Sequence, residues 1–197
     1  MIKKGLIYLF EGEGKGKTSS ALGVTVRGLL NGWRVCWISF IKEEAWAISE
    51  KGLREKFDNL EMYFVGKGFY IDEKALVKRY NGKKVAEVVG GVIVDGVKKD
   101  EHRRAAEEGL ELARQKLISK DFQLIVLDEI ANAISEGLLD EGKVLDLLVL
   151  RGEVHVVLTG RLGVKSKLRE KADLVTECRK IKHPYDRGQM AVKGLDY

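Results

Sequence analysis

Residues 6–30, LIYLFEGEGKGKTSSALGVTVRGLL, decide the fold of this chain. The apolar run at 6–10 is too short for a helix and has the bulky side chains of a buried strand. The next segment has a glycine at every second position and ends in a lysine and a threonine: Gly12, Gly14, Gly16, Lys17 and Thr18. Beyond it, apolar residues recur at helical spacing: Leu22, Val26, Leu29 and Leu30. This order of strand, glycine loop and helix predicts a phosphate-binding loop.

The residue types of the loop suit phosphate chemistry. Glycines let backbone N–H groups converge on phosphate oxygens, Lys17 adds a mobile positive charge, and the Thr18 hydroxyl can ligate a metal ion. The helix dipole favours a polyanion at this end. Glu11 stands where the usual spacing has a glycine, so we expect a shortened loop, with a solvent-facing glycine turn as the alternative. The predicted ATP-binding residues here are Gly12, Glu13, Gly14, Lys15, Gly16, Lys17, Thr18 and Ser19.

Length and charge limit the classes of function. The 197 residues fit one domain, 1–197, that is large enough for a proper core. The net charge of +5 permits nucleic-acid contact, but acidic residues are interspersed with the basic ones and no basic tail is present. A mixed, solvated surface is therefore expected, without a nucleic-acid partner.

The cysteines and the apolar runs indicate the compartment. Cys36 and Cys178 lie far apart inside apolar runs, so we expect buried free thiols in a reducing cytosol. Glu11 ends the first apolar run, which argues against a signal peptide, and no apolar stretch approaches a membrane span. We expect a cytoplasmic protein with no membrane partner.

Strand and helix patterns alternate along the rest of the chain. Further strands are predicted at 34–40, 60–65, 123–127, 154–159 and 174–177, and helices at 101–119 and from 140 onward. A β-hairpin is predicted at 85–94, within an insertion at about 72–99. The predicted fold is α/β: a three-layer RecA-like P-loop NTPase fold with a mostly parallel sheet and an inserted β-hairpin.

An acidic pair follows the predicted strand at 123–127. Carboxylates such as Asp128 and Glu129 at the carboxyl end of a strand can hold Mg²⁺ or its waters, although alone they are commonly a helix cap or a surface feature. Paired with Lys17 and Thr18, the metal interpretation is favoured. The predicted metal ligands are Thr18, Asp128 and Glu129. Arg161 follows a strand at the same edge and is predicted to contact the phosphates of ATP or another part of the substrate, with a surface role as the alternative.

With these landmarks placed, the sequence resembles the P-loop-type corrinoid adenosyltransferases (ATP:cob(I)alamin adenosyltransferases). The resemblance covers nearly the whole chain in the right order, through 11–18, Phe40-Ile41-Lys42, Gly68-Phe69, Leu127-Asp128-Glu129, Thr159-Gly160-Arg161, 182–186 and 193–197. It implies transfer of the 5′-deoxyadenosyl group of ATP to Co(I) of a corrinoid, cobalamin or a precursor, with release of triphosphate. Mg²⁺ (or Mn²⁺) is the implied cofactor.

The resemblance also assigns roles. Lys17, Thr18 and Glu129 are the implied catalytic residues, because the lysine and a bound Mg²⁺ would offset charge on the departing triphosphate. Co(I) is itself the nucleophile, so no protein nucleophile is needed. Phe69 matches an aromatic residue that crowds the lower face of the corrinoid, with core packing as the alternative. A reductase protein and a second copy of the chain are expected partners.

The chain departs from the family pattern at several positions. Ile71 replaces a tryptophan, and Ser39 and Glu43 replace residues that flank the Phe-x-Lys element. We expect the hairpin at 85–94 to cover the corrinoid in place of the family's N-terminal extension. We expect these departures to leave ATP binding intact and to affect the choice of corrinoid.

Two rival functions stay open from the sequence. A P-loop ATPase or phosphotransferase would use Glu129 to polarise water and would release ADP and phosphate. A nucleotide-dependent nucleic-acid-binding protein would show steeply salt-dependent binding, but no stripe of aromatic and basic residues supports it.

Overall fold

The computed structural model describes residues 4–68 and 98–196. Phe69, Ile71 and the predicted hairpin at 85–94 lie outside the described residues, as does almost all of the predicted insertion at 72–99. Those predictions therefore stay predictions.

The strands of the described residues form a single six-stranded sheet. Their bounds are β1 Ile7–Glu11, β2 Val35–Ser39, β3 Leu60–Phe64, β4 Leu124–Asp128, β5 His155–Gly160 and β6 Leu174–Glu177. The order is β3-β2-β4-β5-β1-β6, and neighbouring strands pair in parallel. The predicted strands and their parallel arrangement are confirmed. Because β5 separates β1 from β4, the glycine loop and the acidic pair leave the same edge of the sheet one strand apart.

Helices connect these strands. Their bounds are α1 Lys17–Leu30, α2 Lys99–Ser119, α3 Ile130–Ser135, α4 Glu141–Val149 and α5 Leu168–Lys171, with 3₁₀ helices at Ser49–Glu55 and Pro184–Arg187. Asp140 caps α4 by accepting the N–H of Lys143 at 3.1 Å. The short helices α3 and α5 were not predicted, because six and four residues do not establish a helical period.

Two cores, one on each face of the sheet, give the predicted three-layer α/β fold. Helix α1 and the first 3₁₀ segment pack on one face, where the central aromatic side chain is the fully buried Trp37. Helices α2, α3, α4 and α5 pack on the other face, over Ile125 and Leu127. Strands buried on both faces explain the nearly continuous apolar runs of the sequence. In the described part of the chain, no helix has the length and apolarity to cross a bilayer.

The predicted first helix, α1, packs on the sheet mainly through small residues. Of the apolar residues that recur at helical spacing, Leu29 is buried, Leu22 and Val26 are half-buried, and Leu30 is 72% exposed. The buried positions are mostly small: Ala21, Thr25, Gly28 and Leu29. A side chain at Gly28 would meet the Trp33 ring at 3.2 Å. Small residues therefore let α1 lie close to the sheet, which fixes its N-terminus beside β1.

The prediction for the cysteines is right for Cys36 and wrong for Cys178. Cys36 is fully buried in β2, and burial raises the pKa of its thiol to about 12. Cys178 is half-buried and follows β6, where its Sγ lies beside Gly16 of the glycine loop. The apolar run that suggested burial belongs to an edge strand with much of its surface exposed.

This difference predicts two classes of thiol. At about pH 8, a thiol-specific chromogenic reagent should modify Cys178 in the native protein and reach Cys36 only after unfolding, because the thiolate is the reactive form. The Cys178→Ser variant should then show no native reactivity. Rapid native modification of both thiols would contradict the assignment.

Candidate active site

The candidate site lies where β1, β4 and β5 end and α1 begins. Glu11 ends β1 and Gly16 precedes α1 with φ of +112°, in the left-handed region that favours glycine. Gly12 also has a positive φ, +111°. The loop thus turns sharply and points the N-terminus of α1 toward the carboxyl ends of β4 and β5.

Lys17 folds back over the loop. Its Nζ donates to the carbonyl oxygens of Gly12 at 2.7 Å and Gly14 at 2.6 Å. Burial and then the positive charge of Arg161 lower the pKa of Lys17. The ammonium group is therefore held at the centre of the loop, where a phosphate oxygen can replace a carbonyl as its acceptor.

Asp128 joins the loop to the acidic strand. Its Oδ1 accepts the hydroxyls of Thr18 at 3.1 Å and Thr159 at 2.8 Å, and its Oδ2 accepts Ser39 Oγ at 3.0 Å and Lys42 Nζ at 3.1 Å. The carboxylate is fully buried. Four donors use its acceptor positions, so Asp128 orients the groups around it, above all the Thr18 hydroxyl.

Lys42 was missing from the predicted site residues, and the Phe40-Ile41-Lys42 segment was the signal that could have found it. Besides Asp128, its Nζ contacts Glu50 Oε1 at 2.9 Å, and the two side chains of that pair are 13% and 9% exposed. Burial opposes the charge of Lys42, but Asp128, Glu129 and Glu50 outweigh it and raise the pKa. Lys42 is thus a permanent buried cation beside the acidic pair.

Ser39 sits in this network as well. Its hydroxyl donates to Asp128, and the side chain is fully buried. Ser39, one of the departures from the family pattern, therefore lies in the hydrogen-bond network of Asp128, within the candidate ATP site.

Glu129 adopts a left-handed backbone conformation with φ of 61°. Its N–H donates to Thr159 Oγ1 at 2.8 Å, which connects it to the hydroxyl held by Asp128. The Oε2 atom is buried without a hydrogen-bond partner. Burial and then the Asp128 charge raise the pKa of Glu129. A strained backbone and a buried, unpartnered carboxylate oxygen are features typical of a ligand-binding residue, so Glu129 is a candidate metal ligand.

The residues fit a divalent metal ion that arrives with a nucleotide. The unpartnered Glu129 Oε2 and the Thr18 hydroxyl are oxygen donors on one edge of the sheet, the type that Mg²⁺ prefers. Within 4–68 and 98–196, no group of three or more His, Cys, Asp or Glu side chains could hold a metal ion. Phosphate oxygens of a bound nucleotide could complete the coordination of such an ion, as is usual for Mg²⁺.

Arg161 lies at the end of β5, on the edge predicted for it. Its N–H donates to Asn132 Oδ1 at 2.7 Å, and its guanidinium contacts Glu13 at 3.2 Å. Both partners in that ion pair are largely exposed, so the guanidinium can move to another anion at little cost. Ser19 is exposed in the first turn of α1.

Glu11 occupies the loop position where the usual spacing has a glycine, and its side chain forms an ion pair there. Its carboxylate, 9% exposed, accepts Nε and Nη2 of Arg169 at 2.6 and 2.7 Å. Arg169 also donates to the carbonyl oxygen of Gly163 at 2.8 Å. The bidentate pair connects the end of β1 to α5 and to the loop after β5, and so fixes the start of the glycine loop.

Breaking this pair should cost stability. Arg169→Met leaves a buried carboxylate unpaired and should lower the free energy of unfolding by about 3 kcal/mol, measured by chemical denaturation. Arg103→Met is the matched control, because Arg103 pairs with Asp100 on an exposed helix surface, and it should cost under about 1 kcal/mol. Equal losses of stability in the two variants would show that the Glu11–Arg169 pair stabilises the fold no more than an exposed ion pair does.

A cavity of about 630 Å³ opens beside the loop. Three arginines from separate segments line it, Arg161, Arg169 and Arg179, together with Glu11 and Gly12. Its volume is that of a small-molecule site. Arg161 and Arg179 could pair with phosphate there, whereas Arg169 is already bound to Glu11.

Comparison with known proteins places this chain in a family. The family model described as ATP:corrinoid adenosyltransferase BtuR/CobO/CobP matches residues 3–197. A corrinoid adenosyltransferase of Pseudomonas aeruginosa is 31% identical over 99% of this chain and 85% of its own length. The corresponding proteins of a Sinorhizobium species and Escherichia coli are 32% and 28% identical over 99% of this chain, which spans 81% and 87% of their lengths. The chain therefore belongs to the ATP:corrinoid adenosyltransferase family.

Proposed function

We propose that this protein transfers the 5′-deoxyadenosyl group of ATP to Co(I) of a corrinoid and releases triphosphate. The observation that carries the proposal is the 3.1 Å contact between Thr18 and Asp128, which joins the glycine loop to the acidic strand in a chain of this family. That junction is where the phosphates and a metal ion would meet.

The loop residues would act on the leaving group. Attack at the ribose 5′ carbon breaks its bond to the phosphate oxygen, and the electron pair leaves with the triphosphate. Lys17, already centred on the loop at 2.6–2.7 Å from two carbonyl oxygens, would exchange them for phosphate oxygens. Because this charge grows in the transition state, a preorganised cation there lowers the barrier. Arg161 can add a second cation.

Thr18, Asp128 and Glu129 would hold Mg²⁺ (or Mn²⁺). When bound, the ion would supply further positive charge to the triphosphate oxygens. Asp128 orients the Thr18 hydroxyl, and Glu129 offers its unpartnered Oε2. The buried Lys42 holds the Asp128 carboxylate in place through a contact of 3.1 Å.

The protein needs no base for this reaction, since the cobalt supplies the electron pair. Its own residues have to orient ATP and exclude water. Phe69 is our candidate for the corrinoid contact.

The decisive assay mixes the protein with Mg-ATP and chemically reduced cobalamin. A cobalt–carbon bond in the visible spectrum, with inorganic triphosphate as the second product, supports the proposal. Release of ADP and orthophosphate without the spectral change would indicate hydrolysis instead. Omitting the corrinoid is the control, because adenosyl transfer then stops whereas hydrolysis continues.

Several finer points belong to the same proposal. The chain would act as one domain, as a homodimer in the cytoplasm, where ATP is available and thiols stay reduced, and a reductase protein would supply Co(I). Comparing cobalamin with an incomplete corrinoid precursor in the same assay would identify the preferred substrate.

A further inference from the structure

We infer that residues 178–196, here called the C-terminal tail, form the outer wall of the phosphate loop, and that Asp196 is a positioning residue for ATP. This inference rests on the proposed function. It assigns part of the nucleotide site to a segment more than 150 residues from the loop in sequence.

The start of the tail is hydrogen-bonded to the loop. Cys178 N–H donates to the carbonyl oxygen of Glu11 at 2.7 Å, and Gly14 N–H donates to the carbonyl oxygen of Cys178 at 2.7 Å. These bonds continue the parallel pairing of β1 with β6 beyond the ends of both strands. The tail thus holds the loop by its backbone.

The alternate glycines of the loop face this backbone. A Cβ atom at Gly12 would lie 2.6 Å from the Cys178 carbonyl oxygen, and one at Gly14 would lie 2.6 Å from the Arg179 carbonyl carbon. A Cβ at Gly16 would reach the Cys178 Sγ at 3.6 Å. Two of the glycines are therefore required by the close approach of the tail, in addition to any contact with phosphate.

The far end of the tail returns to the loop. Asp196 forms an ion pair with Lys15, and their side chains are 19% and 52% exposed. The Asp196 carboxylate also accepts the N–H of Val192 at 2.8 Å, and its own N–H donates to the Val192 carbonyl oxygen at 2.8 Å. Asp196 is thus fixed in a closed turn and holds Lys15 from outside the loop.

Anchoring at both ends keeps the loop in one shape. Phosphate binding needs the loop N–H groups to converge, and a loop that is already ordered avoids the entropy cost of ordering on binding. Removing the Asp196 anchor should therefore weaken ATP binding and raise KM, with kcat nearly unchanged, since the anchor affects ground state and transition state alike.

The test measures the Kd of Mg-ATP by calorimetry without corrinoid. Asp196→Asn and Lys15→Gln should each weaken binding roughly three- to tenfold, and the double variant should be no weaker than the worse single variant. Asp186→Asn is the matched control, because Asp186 forms an exposed ion pair with Lys180 in the same tail, and it should change Kd less than about twofold. Asp196→Glu, which keeps the charge, should restore part of the affinity.

Three results would contradict the role proposed for Asp196 or the proposed function. If Asp196→Asn binds as well as Asp186→Asn, or if the single effects add in the double variant, Asp196 does not position the loop. Tighter binding by Asp196→Asn would instead show that Asp196 competes with phosphate for Lys15. Melting temperatures of all variants, measured without ATP, separate loss of folding from loss of positioning. If the wild-type protein binds no Mg-ATP, the proposed function fails first, independently of Asp196.

Discussion

Lys17→Met should lower kcat/KM for adenosyl transfer by about 10²- to 10³-fold. The loop centres the Lys17 ammonium through two carbonyl oxygens, so the substitution removes the cation from the place where the triphosphate would accumulate charge. Methionine keeps the length and the apolar stem of the side chain. The loss is therefore expected mainly in kcat, because the charge matters most in the transition state.

The measurement is the initial rate of cobalt–carbon bond formation at varied ATP concentration. Lys165→Met is the matched control: Lys165 is an exposed lysine in the loop after β5, and its replacement should leave the rate within about twofold. A Lys17→Met enzyme that keeps more than about a tenth of the wild-type rate would show that the loop does not act on the leaving group.

Asp128→Asn should have the second large effect, a fall in kcat/KM of about 10²-fold or more together with weaker Mg²⁺ dependence. The four groups around Asp128 all donate to its carboxylate, and the amide NH₂ of asparagine is itself a donor that cannot accept a hydrogen bond from them. The Thr18 hydroxyl would lose its orientation, and Lys42 would lose its contact with Asp128 while keeping its contact with Glu50. We also expect a loss of roughly 3 kcal/mol of stability, because a buried ion pair loses one partner.

Two measurements on the Asp128→Asn variant distinguish an effect on the metal from an effect on folding. The Kd of Mg-ATP at increasing Mg²⁺ reports on the metal, and chemical denaturation reports on stability. Asp173→Asn is the control, because its carboxylate accepts the N–H of Ile7 at 2.7 Å in a structural contact of β1. That control should lose stability and keep its Mg²⁺ dependence, and an Asp128→Asn variant that behaves in the same way would make Asp128 purely structural.

Much of the fold could be predicted because the decisive signals are local. Apolar runs of four to seven residues marked each strand, and the alternation with helices implied parallel pairing. The short α3 and α5 could not be found in this way. The close packing of α1 on the sheet was not predicted either, because it depends on small residues, which carry little hydrophobic signal. The half-buried Cys178 was missed for a related reason: an apolar run does not distinguish a central strand from an edge strand.

In the candidate site, too, local features could be predicted and contacts between distant segments could not. Neighbouring residues such as Lys17 and Thr18 could be assigned from their spacing. The partners of Glu11 and Lys15 could not, because Arg169 lies 158 residues after Glu11 and Asp196 belongs to the end of the chain. Lys42 was visible as a segment, but its contact with Asp128 depends on the pairing of β2 with β4.

By itself the sequence determined the elements and their chemistry: a strand leading into a glycine loop, a lysine and a hydroxyl at a helix start, and two carboxylates after a buried strand. These follow from short-range periodicity and from residue type. Only the tertiary structure decided which distant groups meet. The strand order β2-β4-β5-β1-β6 brings the carboxyl ends together, seats Asp128 against Thr18, and lays the C-terminal tail on the loop. Such contacts depend on register and on burial between segments far apart in the chain, which local patterns do not encode.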